Sequence, residues 1–163
     1  MILKDATVAE IKKKAVRYPS RRSAILPALT AAYRQVGHLN SDIYREIARV
    51  IEIPYVEIAE AASFYTMFPK TEVGKYLIQV CHNISCSLRG ADNMVEYLEE
   101  QLGIKLGETT SDKMFTLISV ECLGGCSAAP MMQINDTYYE DLTREKIDKI
   151  LADLRARAES EGK

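Results

Sequence analysis

Cysteine is scarce in this chain: four residues among 163, with only two histidines beside them. Four are too few for a disulfide scaffold, and in a reducing compartment clustered thiols point to a metal or to redox chemistry. Long apolar runs are missing as well. The longest mostly apolar stretch, Ala24 to Tyr33, falls far short of the roughly 20 residues that span a bilayer. Any membrane association would therefore come through a partner. The opening stretch MILKDATVAEIKKK has no apolar segment of signal-peptide length and carries Asp5 and Glu10. It reads as neither an export signal nor a transit peptide. Charge of one sign is not in excess: the formal net charge is -2, which gives no general attraction to nucleic acid. No G-x-G-x-x-G follows a strand-like run, so the chain has no dinucleotide fingerprint of its own. Internal repeats and low-complexity segments are absent too. What remains is the expectation of a soluble, intracellular, globular protein. Its 47% hydrophobic and 27% charged residues suit that class and argue against disorder away from the ends.

The pattern splits the chain into two parts. Residues 1–70 read as helices only. Thr7 and Glu10 fit a capping box, with Val8, Ile11 and Ala15 on one face. Ile25, Leu26, Leu29, Ala32, Tyr33 and Val36 repeat at helical spacing up to a stop at Gly37, and Pro27 predicts a kink or a late start. Asn40 or Ser41 can cap a third helix facing inward through Ile43, Ile47, Val50 and Ile51. Pro54 suits the first turn of a fourth, with Val56, Ala59 and Ala62 inward. A bundle of this size has little core and should lean on something else.

Residues 71–163 read as β-α-β-β-β-α. Lys75 to Val80 and Met114 to Val120 are strand candidates, each ending just before a cysteine. Met94, Val95, Leu98 and Leu102 mark the intervening helix, which stops at Gly103. Asn135–Asp136 predicts a two-residue hairpin between Met131–Ile134 and Thr137–Tyr139. Ile147, Ile150, Leu151 and Leu154 mark a last helix capped by Thr143, with the charged tail Arg155 to Lys163 expected to fray. Two strands joined through a helix should pair in parallel. The expected class is α+β, a helical bundle followed by a thioredoxin-like domain.

The cysteines are spaced Cys81-x4-Cys86, then 35 residues, then Cys122-x3-Cys126. In a parallel β-α-β unit the carboxyl ends of both strands share one edge of the sheet. Two short loops would face each other there, with two thiols apiece. Spacing alone leaves open a structural zinc, an iron–sulfur cluster, and disulfides or redox thiols. Local residues tilt toward iron–sulfur. Gly124, Gly125, Ser127, Ala128 and Ala129 are small and let backbone N–H groups approach sulfur. A helix beginning after Cys86 would point its N-terminus at the site. Zinc tetrathiolates use the same devices.

The strings VCHNISCSLRG and GETTSDKMFTLISVECLGGCSAAPMMQINDTYYEDLT carry a further signal. With AILPALTAAYRQVGHLN and IARVIEIPYVEIAEAASFYTMF, they resemble the 24-kDa-type subunit of respiratory complex I, the NADH:quinone oxidoreductase, a thioredoxin-like ferredoxin family. The likeness covers roughly residues 20–155. It implies one [2Fe–2S] cluster held by Cys81, Cys86, Cys122 and Cys126, with no catalytic residue on this chain. It implies a larger flavoprotein partner holding FMN, a [4Fe–4S] cluster and the NADH site, among the other subunits of the complex. The cluster would exchange electrons with that flavin, off the main path to quinone, on the cytoplasmic side and peripheral to the inner membrane. Related subunits serve NAD-linked hydrogenases and formate dehydrogenases; GETT and YYEDLT look closer to the complex I members.

Other residues have plainer readings beside functional ones. His82 departs from the family pattern. As a ligand it would suggest a Rieske-like centre, but those need two histidines and His38 lies in the helical part. Arg89 could offset cluster charge or simply be solvated. Pro130 leaves its peptide isomer open. Phe64, Tyr65, Met67 and Phe68 read as an apolar knot packed into core at the domain junction, with a partner contact as the second reading. Lys12, Lys13, Lys14, Arg17, Arg21 and Arg22 read as a solvated helix face, with partner docking second. A zinc-stapled adaptor and a free-standing ferredoxin are the rivals of a different class.

Overall fold

In the computed structural model, which describes residues 2–161, the chain forms two compact units, Met1–Glu72 and Val73–Lys163. The first holds, among the described residues, the helices α1 (Asp5–Ala15), α2 (Ile25–Val36), α3 (Ser41–Ile51) and α4 (Tyr55–Phe64). α2 begins two residues before Pro27, the late start that proline permits, because its missing N–H falls in the unbonded first turn. Gly37 ends the helix at φ 82°. The Asn40 carboxamide oxygen caps α3, accepting from the N–H groups of Asp42 and Ile43 at 3.1 Å each. Ile43, Ile47 and Ile51 are buried along that face.

Three expectations fail here. The Thr7–Glu10 capping box does not form, because α1 starts at Asp5 and Thr7 lies inside it. Tertiary bonds hold the helix entry instead. The Glu46 carboxylate accepts from the N–H groups of Ile2 and Leu3 at 2.9 and 3.1 Å. In α4 Pro54 precedes the helix, and the buried stripe runs through Ile58 and Ala62 while Val56 faces outward. Of the apolar knot only Phe68 is buried, packing edge-on against Tyr33 with ring centroids 6.0 Å apart. Phe64 and Met67 are 76% and 59% exposed. The Lys70 ammonium donates to the carbonyls of Ala62 and Phe68 and fixes the turn that separates them.

The second unit runs β1 (Tyr76–Cys81), α5 (Ile84–Leu88), α6 (Ala91–Leu102), β2 (Phe115–Val120), β3 (Met132–Ile134), β4 (Thr137–Tyr139) and α7 (Arg144–Glu161). The sheet order is β2-β1-β3-β4. β1 and β2 are parallel, Tyr76 opposite Phe115 and Cys81 opposite Val120, and the remaining pairs are antiparallel. β1 is apolar almost throughout, as an inner strand should be, and only Gln79 in it is partly exposed. Ile78, Val80, Leu98, Leu117, Ile147 and Leu151 form the centre of this core. The α+β class and the expected parallel pairing both hold.

The hairpin turns at Asn135, φ 52°. Its side chain also ties down β1: Oδ1 accepts from the Leu77 N–H at 2.9 Å and Nδ2 donates to the Lys75 carbonyl at 3.0 Å. α7 does not fray at Arg155. It continues to Glu161, with the Arg155 guanidinium 5.6 Å from the Phe115 ring centroid; Gly162 and Lys163 lie outside the described residues. The Ala129–Pro130 bond is cis.

Candidate metal centre

Cys81 is the last residue of β1, and Cys122 follows the end of β2 by two residues. The parallel register brings both to one edge of the sheet. The two loops are joined by main-chain bonds: the His82 N–H donates to the Val120 carbonyl at 3.1 Å, and the Cys81 N–H to the Met131 carbonyl at 3.1 Å. The helix expected after Cys86 is α6, starting at Ala91, and Cys86 itself sits inside the short α5. Asn83 caps that helix through a 2.8 Å bond from the Ile84 N–H. Cys126 opens a 3-10 turn, Cys126–Ala128. The loop after it is held by the N–H groups of Asp141 and Leu142, which donate to the carbonyls of Ala128 and Pro130 at 2.8 and 2.9 Å.

The thiols differ in setting. Cys81 and Cys86 are buried with Ala91, Ala129 and Met131; Cys122 and Cys126 are exposed. Burial pushes the Cys81 thiol up. The N–H groups of Asn83 and Leu123, with the Cys86 thiol, outweigh that and hold it below the ordinary value. Cys86 is pushed up to about 11 by burial first, then by the neighbouring Cys81 sulfur. The Met131 N–H partly offsets this, and Cys126 is close enough to add its own repulsion. The Gly124 N–H lies 3.4 Å from the Cys122 sulfur. Each of these three sulfurs thus has at least one backbone N–H aimed at it, the arrangement that favours anionic sulfur.

Gly124 and Gly125 do different jobs. Gly124 adopts φ 80°, with open space where a Cβ would be, so glycine is there for its backbone. Gly125 has φ -99°, which any residue can adopt. A Cβ there would lie 2.5 Å from the Met131 sulfur, so glycine is there for space.

Among the described residues no group of three His, Cys, Asp or Glu side chains is arranged to hold a metal ion. A two-iron cluster has its irons held apart by sulfide and takes two thiolates on each. Two loops with two thiols apiece, lined by N–H donors and small residues, fit a group that takes four thiolates.

The other singled-out residues lie around this site or away from it. His82 Nε2 is 3.5 Å from Glu121 Oε1, with both side chains well exposed. Arg89 is exposed just past α5. Of the basic stretch, Lys14 pairs with Glu10 at 2.6 Å, Arg22 with Glu57 at 3.1 Å and Arg21 with Glu52. Lys12, Lys13 and Arg17 are exposed, as a solvated face would be. Met131 and Asn83 were not legible as site residues. Asn83 carried a signal, an N-cap type two residues after a cysteine; Met131 carried none, since a methionine entering a strand reads as core.

The family model described as thioredoxin-like [2Fe-2S] ferredoxin matches residues 11–155. The chain is 44% identical to the second E-type chain of NADH-quinone oxidoreductase from Rhizobium meliloti, covering 90% of this chain and 88% of that protein. It is 50% identical to the E-type chain of NADH-quinone oxidoreductase from Rickettsia conorii, covering 87% and 85% respectively. Among solved structures it is similar to a chain of the NAD+-reducing [NiFe]-hydrogenase in the air-oxidised state, with a TM-score of 0.71 and 26% identity. That match covers 82% of this chain but only 23% of the hydrogenase chain.

Proposed function

Because this chain belongs to the thioredoxin-like [2Fe–2S] ferredoxin family, we propose that Cys81, Cys86, Cys122 and Cys126 together hold one [2Fe–2S] cluster, and that the chain is the electron-transfer subunit of an NADH:quinone oxidoreductase. The observation that carries this reading is the meeting of two cysteine loops at one edge of a parallel strand pair, with backbone N–H groups aimed at sulfur. The names of the NADH-quinone oxidoreductase relatives, and the extent of their match, support the choice of complex.

When bound, such a cluster takes up and releases one electron at a time. The chain's own residues set the conditions. Burial of Cys81 and Cys86 keeps water from one side of the site. The N–H groups of Asn83, Leu123, Gly124 and Met131 offset negative charge at sulfur and so make an added electron easier to accept. Cys122 and Cys126 lie at the exposed side, where an electron can pass to or from a neighbour.

The neighbour is a larger flavoprotein subunit carrying FMN, a [4Fe–4S] cluster and the NADH site. The apolar side chains of Ile84 and Leu88, 74% and 82% exposed on α5 beside Cys86, support a partner on this face. The complex would hold the chain on the cytoplasmic side, peripheral to the inner membrane; among the described residues no helix is long and apolar enough to cross a membrane. The hydrogenase likeness favours a second reading, the corresponding subunit of an NAD-linked hydrogenase. Its lower identity ranks it behind the first.

Anaerobic purification followed by iron, sulfide and zinc analysis tests the site, with two irons and two sulfides per chain expected. A colourless protein with one zinc would be a stapled adaptor and would end the electron-transfer reading. Cys122→Ser should lose the cluster or shift its EPR signal, and an unaltered signal means the ligand set is wrong. Isolation from the source cells should bring down a flavoprotein. A chain that migrates alone is a free-standing ferredoxin.

A further inference from the structure

Met131 touches both cysteine loops at once. Its carbonyl accepts the Cys81 N–H at 3.1 Å, and its N–H donates to the Cys86 sulfur. Its side chain reaches the other loop. The built Cβ position of Gly125 lies 2.5 Å from the Met131 sulfur and 2.9 Å from its terminal methyl carbon, so the thioether rests directly on the residue before Cys126. Met131 is itself 1% exposed and packs with Cys81, Cys86, Ala91 and Ala129. One loop is thus held by its main chain and the other by its side chain.

We propose that Met131 is a positioning residue that sets the separation of the two cysteine loops, with Gly125 as the flat surface its thioether needs. This rests on the reading that the four cysteines hold one cluster. A long unbranched side chain suits the task because it fills an irregular gap without a fixed branch. Truncating it frees the Gly125–Cys126 segment to move inward. A Cβ on Gly125 does the reverse and pushes that segment away from Met131. The two changes are opposite in sign, so they should compensate when combined.

The test uses the full chain reconstituted anaerobically with ferrous iron and sulfide, as wild type, Met131→Ala, Met131→Leu, Gly125→Ala and the Met131→Ala/Gly125→Ala double variant. The readouts are the EPR signal of the reduced cluster, the rate of iron release to a chelator, and the thermal midpoint of each cluster-free chain. Met131→Ala and Gly125→Ala should each release iron about tenfold faster or more, the low end for changes just outside a ligand shell, with altered EPR g values. Met131→Leu keeps the volume and should stay close to wild type. The double variant should recover most of either loss in iron retention, whatever its thermal midpoint. Iron release and EPR unchanged in Met131→Ala overturn the proposal, as does a double variant whose losses simply add. A wild-type chain that takes up zinc or nothing overturns the cluster reading itself and the positioning role with it.

Discussion

In the cluster-free chain the four thiols should react with iodoacetamide in a fixed order: Cys122 and Cys126 first, Cys81 next and Cys86 last. Alkylation needs the thiolate and access to it. Cys122 and Cys126 are exposed, while Cys81 and Cys86 are buried at 3% and 1%. Ionisation separates the buried pair. With Cys86 pushed up to about 11, only about one molecule in 1000 carries its thiolate at pH 8, against roughly a quarter for an ordinary thiol near 8.5. Cys86 should therefore react at least ~100-fold more slowly than a free thiol, before burial slows it further. Its rate should climb about tenfold per pH unit up to its own pKa. Pulse labelling at pH 7 to 10, digestion with trypsin and fragment mass spectrometry read this out. Cleavage after Lys75 and Arg89 leaves Cys81 and Cys86 on one peptide, and Cys122 and Cys126 share the one between Lys113 and Arg144. The same shifts set a stability window. Below the unfolded thiol value of about 8.5 both states hold the Cys86 proton. Above it the unfolded chain releases that proton first, so stability falls as pH rises toward about 11. Cys81 has the opposite sign, and its contribution is already complete above the unfolded value. The thermal midpoint of the cluster-free chain should drop across that interval. Cys86 modified as fast as Cys122 at pH 8 would refute the reasoning.

Asn135→Ala removes the acceptor for the Leu77 N–H and the donor to Lys75, and leaves alanine at φ 52°. The loss should be about 2–4 kcal/mol in urea unfolding of the second unit. Asn135→Gly should lose less, and a glycine variant weaker than the alanine one would contradict the backbone argument. Gly74→Ala places a Cβ 2.9 Å from the Phe115 carbonyl carbon and 3.0 Å from the Lys113 oxygen, main-chain atoms that cannot swing aside. Calorimetry should show about 1–3 kcal/mol of destabilisation. Glu46→Ala should cost the helical unit about 1–3 kcal/mol and raise hydrogen exchange at Ile2 and Leu3, which lose a charged acceptor. Glu46→Gln keeps an acceptor there and should recover most of it. Equal exchange in all three proteins would show that the N-terminal strap is held by something else.

Where the sequence was legible, one strong local cause ruled each element. Asn40 caps α3, Gly37 and Gly103 stop their helices, and Asn135 turns the hairpin, because each residue type suits the backbone geometry at its position. The failures share the opposite cause. α1 starts at Asp5 because Leu3 is buried and Glu46, more than 40 positions away in sequence, accepts its N–H. α7 runs on past Arg155 because that arginine has the Phe115 ring to cover.

The site divides in the same way. Four cysteines in two close pairs, with the small residues between and after them, were enough to propose a four-thiol centre and, through the family likeness, a cluster for it. The sequence alone could not tell that Cys81 and Cys86 are buried while Cys122 and Cys126 are exposed. Nor could it tell that Gly124 is required for its φ and Gly125 for its missing side chain. Residue type and spacing are carried locally by the chain. Loop separation, burial and thiol ionisation belong to contacts between segments far apart in sequence, and these exist only once β1, β2 and the segment through Met131 have come together.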